Sequence, residues 1–386
     1  MCVWEDGYRL RIVPSIADGI ILSKSVTSGI PPDERIFQRG SPMQRPTITD
    51  LAHAAEVSVS TVDRVLNGRE PVRPATAQRV LAAAEAIGFY GTGAIRQRLG
   101  RDKPERTFAF VLLQRPRPFY QLLADALTEA TRASTAVRGH PVISFMDDLT
   151  PAAVADRLAK LAKGVHAIAV VTADHPHVTQ AIDRLNSDGV PVFALISDLT
   201  AQGRAGYIGL DNLKVGRTAA WAITNLCKHP GKIGIFVGSH RYLCQDLCEM
   251  GFRSYVREHA ADFHVLEART SLEEARYAYE TTLDLLKRNQ DLVGLYVAGG
   301  GIRGVMRALR DEGPGVFRQL VTVCHDLMDE TRSGLIDGVL KLVLAHPIKR
   351  LAEGAVAAMV RATEGSLREP FTQCLLPFDI YTAENV

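Results

Sequence analysis

The chain has 386 residues, 46% hydrophobic and 23% charged, with a net charge of +2. That composition belongs to a globular protein with room for roughly two or three cored domains, and it excludes a disordered chain, a disulfide-stapled miniature and a polycation that coats nucleic acid with its whole surface. Six scattered cysteines (Cys2, Cys227, Cys244, Cys248, Cys324, Cys374) fit reduced thiols in the cytoplasm, and no apolar window approaches the ~18 residues of a membrane span.

Residues 1–42 show no sustained periodicity and read as a disordered arm, or as sequence ahead of a true start at Met43. Residues 43–90 read as three short helices. "TITDLAHAAEV" opens on Thr47 as a cap with Asp50 three residues on, and Ile48, Leu51, Ala52 and Ala55 make its apolar face. In "VSVSTVDRVLNG", Ser58 caps a second helix whose stripe is Val62, Val65 and Leu66, leaving Val59, Ser60, Asp63 and Arg64 pointing elsewhere; Asn67-Gly68 supplies a left-handed exit. "PATAQRVLAAAEAIG" starts a third helix on Pro74 and stops at Gly88. Two short helices joined by a tight break and buttressed by a third make a helix-turn-helix. The stretch 43–103 carries nine Lys/Arg against six acids, a local +3, the sign a DNA-facing module needs.

Over the 43 positions 47–89 the sequence resembles the headpiece of the lac-repressor (LacI) family of bacterial transcription regulators, with Asp63 where that family usually has serine. The resemblance implies that the second helix enters the major groove of double-stranded operator DNA. Val59, Ser60 and Arg64 would then face bases, and Ser58, Thr61, Asn67 and Arg73 phosphates. Arginine is the best bidentate reader of guanine, and hydroxyls suit phosphate oxygens. Asp63 either accepts from a cytosine amine or orients Arg64. The family follows its headpiece with a helix whose leucine wedges into the minor groove. Here "FYGTGAIRQRLG" puts Arg98 at the wedge position with Leu99 one residue on, and Arg96 and Arg98 are alternative minor-groove or phosphate contacts. Gly91 and Gly93 predict a flexible hinge over 91–104.

From 105 to 386, apolar runs such as "TFAFVLL", "AIAVV", "PVFAL", "KIGIFVG" and "LVGLYVAG" alternate with amphipathic segments. The fold class is therefore α/β: a small all-α domain followed by two doubly wound parallel halves, with a ligand between them at the carboxyl ends of the strands. This part resembles the periplasmic-sugar-binding-protein fold that the same family carries, with "YIGLDNLKVGRTAA" and "VLAHP" at the crossings between halves. Phe119, Tyr120, Asp147, Asp174, Asp211, Gly300, Asp326 and His346 are the candidate ligand residues, and Asp148 follows the same strand as Asp147. Aromatic faces and carboxylates suit a sugar or polyol. Asp326 and His346 match positions where related domains carry Asp and Gln, whereas Cys248 stands where they commonly carry an arginine.

Two further patterns compete. Gly299, Gly301 and Gly304 form G-x-G-x-x-G between a strand and a helix, with Asp326 beyond the next strand, which is the dinucleotide pattern and the basis for an alternative nucleotide- or NAD-binding sensor or enzyme. His240, Cys244 and Cys248 fall at i, i+4 and i+8; that span of about 12 Å on one helix is too long for a common metal. No nucleophile–base–acid set is evident. The reading is a non-enzymatic, cofactor-free cytoplasmic repressor, a homodimer or tetramer, that binds operator DNA under control of a small effector.

Overall fold

Capping chemistry defines the first elements of the chain. In the computed structural model, which describes residues 45–68, 72–101, 103–364 and 371–386, the expected arm over 1–42 lies outside the described residues. Helix Ile48–Ala54 begins at Thr47, whose backbone N–H donates to Asp50 Oδ2 at 2.8 Å while its hydroxyl receives the Asp50 N–H at 3.3 Å. Ser58 starts Val59–Asn67 by accepting the Thr61 N–H at 3.2 Å, and Gly68 ends it in the left-handed region at φ 62°. Pro74 opens Pro74–Ala86. Leu51, Val62 and Val80 are fully buried in the core these helices share.

The segment read as a flexible hinge is a fourth helix, Thr92–Arg101. The Thr92 hydroxyl donates to the Phe89 carbonyl at 2.5 Å, and Ile95 is fully buried in the headpiece core with Leu99 half-buried against it. Burying the Ile95 side chain contributes about 1.5–3 kcal/mol. That outweighs the roughly 1 kcal/mol that Gly93 costs inside a helix.

Two lobes follow. The first is a six-stranded parallel sheet in the order Thr372–Leu376, Gly206–Leu210, Val192–Leu195, Ala167–Val170, Glu105–Leu112, Arg138–Phe145. The second runs Asp379–Tyr381, Leu342–Ala345, Val321–His325, Leu292–Val297, Lys232–Val237, His264–Val265, with Arg269–Thr270 also on Lys232–Val237. Among the described residues, only Asp379–Tyr381 pairs antiparallel. Inner strands such as Ala167–Val170, Val192–Leu195 and Leu292–Val297 are buried from end to end, as sheets covered on both faces require. Of "HVLEA" (264–268), whose apolar residues read as one strand, only His264–Val265 is strand, and a second short strand, Arg269–Thr270, starts just beyond it.

The chain passes between lobes three times. Gly206–Leu210 leads into helix Asn212–Leu226 of the second lobe, Leu342–Ala345 into helix Ile348–Glu364 of the first, and Thr372–Leu376 into Asp379–Tyr381. The last crossing has no counterpart in the sequence reading.

Candidate functional site

The second headpiece helix divides cleanly into two faces. Val62 and Val65 are buried, whereas Val59 is 48% exposed and Ser60 and Arg64 are also exposed. The Ser58 hydroxyl lies 2.9 Å from that of Ser60 and 2.8 Å from that of Thr61, so three hydroxyls gather where the helix dipole favours anions. Asp63 accepts from Asn67 Nδ2 at 2.5 Å. Arg73 is exposed at the start of the third helix. On the fourth helix Arg96 pairs with Glu85 at 2.5 Å, Arg98 is half-buried, and Leu99 leans on the headpiece core.

At the carboxyl ends of both sheets lies a cavity of about 290 Å³. Among its walls are Phe119, Tyr120, Gly300, Asp326 and His346. The other three predicted aspartates do not line it. Asp147 is exposed; Asp174 holds the Thr200 N–H (3.0 Å) and hydroxyl (2.8 Å); Asp211 caps Asn212–Leu226 through the Lys214 N–H and pairs with Lys214 at 3.0 Å. Asp148 likewise accepts the Thr150 N–H at 2.9 Å, and that hydrogen bond lowers its pKa. Asp148 and Asp211 do local turn and capping work and Asp174 ties two loops together, which a position after a strand does not distinguish from pocket lining.

Residues the sequence reading passed over hold the cavity together. Arg117 of the first lobe donates to Glu273 Oε2 at 2.5 Å and to the Glu273 carbonyl at 3.1 Å across the cleft. Glu273 also accepts from Gln245 Nε2 at 2.9 Å and from the Gly300 N–H at 3.1 Å. Further bridges run from the Asp174 N–H to the Arg241 carbonyl (2.8 Å) and from the Cys244 N–H to the Ser197 hydroxyl (3.3 Å). Arg117 and Glu273 are 156 positions apart, so no local spacing reveals the pair.

The glycine-rich loop serves the same cluster. Gly301, at φ 95°, precedes helix Ile302–Glu312, and a Cβ at Gly299 or Gly300 would collide with Gln245 or Glu273. The place a dinucleotide's pyrophosphate would take is filled by this chain's own carboxylate, which repels a second anion. Strain gathers here too: Ile196, Glu273 and Asp326 all line the cavity with φ of 67°, 60° and 62°, and such backbone clusters at ligand sites.

Asp326 and His346 form a tight unit. The His346 N–H and ring Nδ1 lie 2.9 and 2.8 Å from Asp326 Oδ1. Burial raises the Asp326 pKa, but His346 and the hydrogen bonds more than offset it, so Asp326 sits below its usual range. Beside it, burial pushes His325 down to about 4 while its Nε2 meets the Tyr296 hydroxyl at 2.7 Å. Burial pushes the Cys244 thiol up to about 12 and raises Cys248 as well, and His240 faces Asp246 at 3.3 Å. Among the described residues no group of three or more His, Cys, Asp and Glu is placed to hold a metal.

A helix-turn-helix headpiece joined to a bilobed ligand-binding fold defines the class of ligand-responsive DNA-binding regulators. Residues 47–91 match the model of bacterial regulatory proteins of the lacI family, and 108–367 match a periplasmic binding protein domain. An uncharacterized HTH-type transcriptional regulator in the aml 5′ region of Streptomyces limosus is 29% identical over 338 residues, 83% of this chain and 89% of that one. The HTH-type transcriptional regulator GalS of Salmonella typhimurium is 24% identical over 86% of this chain and 94% of its own. Among solved structures, an ABC transporter solute binding protein from Burkholderia graminis in complex with D-arabinose superposes with a TM-score of 0.67 at 18% identity, covering 74% of this chain and 98% of that one. The chain belongs to the lacI family of DNA-binding transcriptional regulators.

Proposed function

We propose that this regulator is a cytoplasmic homodimeric repressor released from its operator by a small, uncharged, hydroxylated effector. The reading rests most on one observation: a capped helix with two buried valines turns Val59, Ser60 and Arg64 outward, while a separate interlobe cavity is lined by carboxylate, imidazole and aromatic rings. Among the described residues no helix is long and apolar enough to cross a membrane. Effector binding between the lobes would favour one lobe arrangement, alter headpiece spacing and change DNA affinity by the difference in binding energy between the two states. Glu273 in the glycine-rich loop argues against the nucleotide-sensor alternative.

Ser58, Thr61, Asn67 and Arg73 are assigned to phosphates, and Val59, Ser60 and Arg64 to base edges. Asp63 serves by positioning Asn67. Arg96, Arg98 and Leu99 stand ready for the adjoining backbone or minor groove. The test is fluorescence anisotropy against duplexes spanning the region upstream of its own gene. Arg64→Ala should cost about 1–3 kcal/mol of discrimination between cognate and scrambled duplexes while leaving the salt dependence of binding largely in place. Unchanged discrimination would remove Arg64 from the base-reading set.

A further inference from the structure

The walls of the interlobe cavity divide into committed polar groups, a few polar groups with a hydrogen bond to spare and a broad apolar remainder. Arg117 and Glu273 are spent on each other, and Gln245 donates from Nε2 to Glu273 while its oxygen accepts the Gly238 N–H at 2.5 Å. Asn212 donates to the Tyr207 hydroxyl at 3.0 Å, and Arg303 pairs with Glu330. The arginine that could grip an acid is absent, because Cys248 stands there with its thiol buried.

Besides the Tyr120 and Tyr242 hydroxyls, the polar edge with a hydrogen bond to spare is Asp326 with His346. An ionised carboxylate only accepts, so the Nδ1 facing Asp326 Oδ1 at 2.8 Å carries a proton, and Nε2 is the ring nitrogen left for another partner. The His346 side chain is 6% exposed and Nε2 has no partner among the described residues, although His346 lines the cavity. That nitrogen is an unmet hydrogen bond within the cavity wall. Next to it, the Phe119 ring lies 5.6 Å from His346 and meets Tyr120 edge-on at 5.1 Å, and Leu113, Pro116, Ile302 and Met328 extend the apolar wall.

A free monosaccharide carries hydroxyls around its whole rim. Seated here, most would exchange water for carbon without a new partner. A phosphate or carboxylate would find both guanidinium groups of the walls already paired and the carboxylates of Asp326 and Glu273 nearby. At about 290 Å³ the space lies at the lower end of ligand pockets and suits a molecule of one or two rings.

We propose that the effector is an uncharged, two-faced ring compound of the aryl glycoside kind: a hydroxyl on one edge donates to His346 Nε2, and an apolar body lies against the Phe119–Tyr120 wall. This rests on the reading of the cavity as the effector site. His346 is thereby the residue that sets which edge of the ligand enters.

The experiment is calorimetric titration of the full chain with phenyl glycosides of glucose, galactose, xylose and arabinose, with the four parent sugars, and with glucose 6-phosphate. At least one phenyl glycoside should bind about tenfold or more tighter than its parent, with no binding of the phosphate. His346→Leu should weaken that glycoside about tenfold, and His346→Gln, whose amide oxygen restores an acceptor, should stay within about threefold of the native protein. Parent sugars binding as tightly as their glycosides, binding of the phosphate, silence from every glycoside, or an unaffected His346→Leu each overturns the proposal. Duplex binding measured on the same preparations separates the failures: if it persists, only the effector chemistry is wrong, and if salt-dependent DNA binding is also missing, the regulator reading falls too.

Discussion

Replacing Glu273 by alanine should expose how the two lobes hold each other. The carboxylate accepts a charge-assisted bond from Arg117, an amide bond from Gln245 and a backbone bond from Gly300, with the Arg117 and Glu273 side chains only 22% and 11% exposed. All three bonds end on the ionised carboxylate and contribute about 1.5 kcal/mol each at the low end of such bonds, so the gross loss is about 4.5 kcal/mol. Water entering the cleft to solvate Arg117 recovers roughly half of it, leaving a net destabilisation of about 2 kcal/mol. Arg117→Met removes the bonds to both the Glu273 carboxylate and its carbonyl and should cost about 2–3 kcal/mol. The two changes share a partner, so the double variant should be more stable than the sum of the singles by about 1–2 kcal/mol. Urea unfolding of the four proteins measures this directly. Additivity within about 0.5 kcal/mol would falsify the idea that the pair acts as a unit across the cleft.

Two other outcomes follow from packing and charge. Ile95→Ala removes a fully buried side chain, which costs about 2–5 kcal/mol in cores; hydrogen exchange should then show amides of Thr92–Arg101 opening ahead of the rest of the headpiece, and native protection there would refute the anchoring role. His325, held near 4 by burial against an unfolded value of about 6.5, leaves the unfolded chain binding the extra proton between those values. Stability should therefore decline as pH falls from about 6.5 to 4, by up to about 3 kcal/mol from this group, and level off below. Asp326 acts lower: its depressed pKa gives stability that is full above the usual carboxylate range and is lost as pH falls through its folded value. Thermal melts of His325→Gln should lose the slope between 6.5 and 4 and keep the one beneath, and an identical profile would clear His325.

Much of this architecture is legible in the residues. Thr47 with Asp50, Ser58, and Asn67-Gly68 mark helix boundaries through local hydrogen bonds and backbone preference, and fully apolar runs such as Ala167–Val170 declare buried parallel strands. The fourth helix escaped notice because its anchor, Ile95, works through tertiary burial while its glycines argue for freedom. Thr372–Leu376 and Asp379–Tyr381 are short edge strands, half-buried in alternation, with no continuous apolar run to mark them. For the cavity, chain position after a strand picked out Asp326 and Phe119 but equally picked out the exposed Asp147, Asp174, which ties down the Thr200 loop, and Asp211, which caps a helix. Arg117, Gln245 and Glu273 have meaning only once distant segments meet, and the glycine motif is intelligible only with Glu273 resting on it.

Because the final crossing supplies an outer strand to each sheet, neither lobe is a contiguous stretch of chain. During synthesis both must wait, with Gly206–Leu210 and Leu342–Ala345 each lacking a neighbour, until the carboxyl-terminal residues emerge from the ribosome. The headpiece meets no such delay. A nascent chain can thus hold a finished DNA reader before it has any receptor to govern it, and a premature stop near residue 370 would leave that reader ungoverned while exposing two strand edges to aggregation.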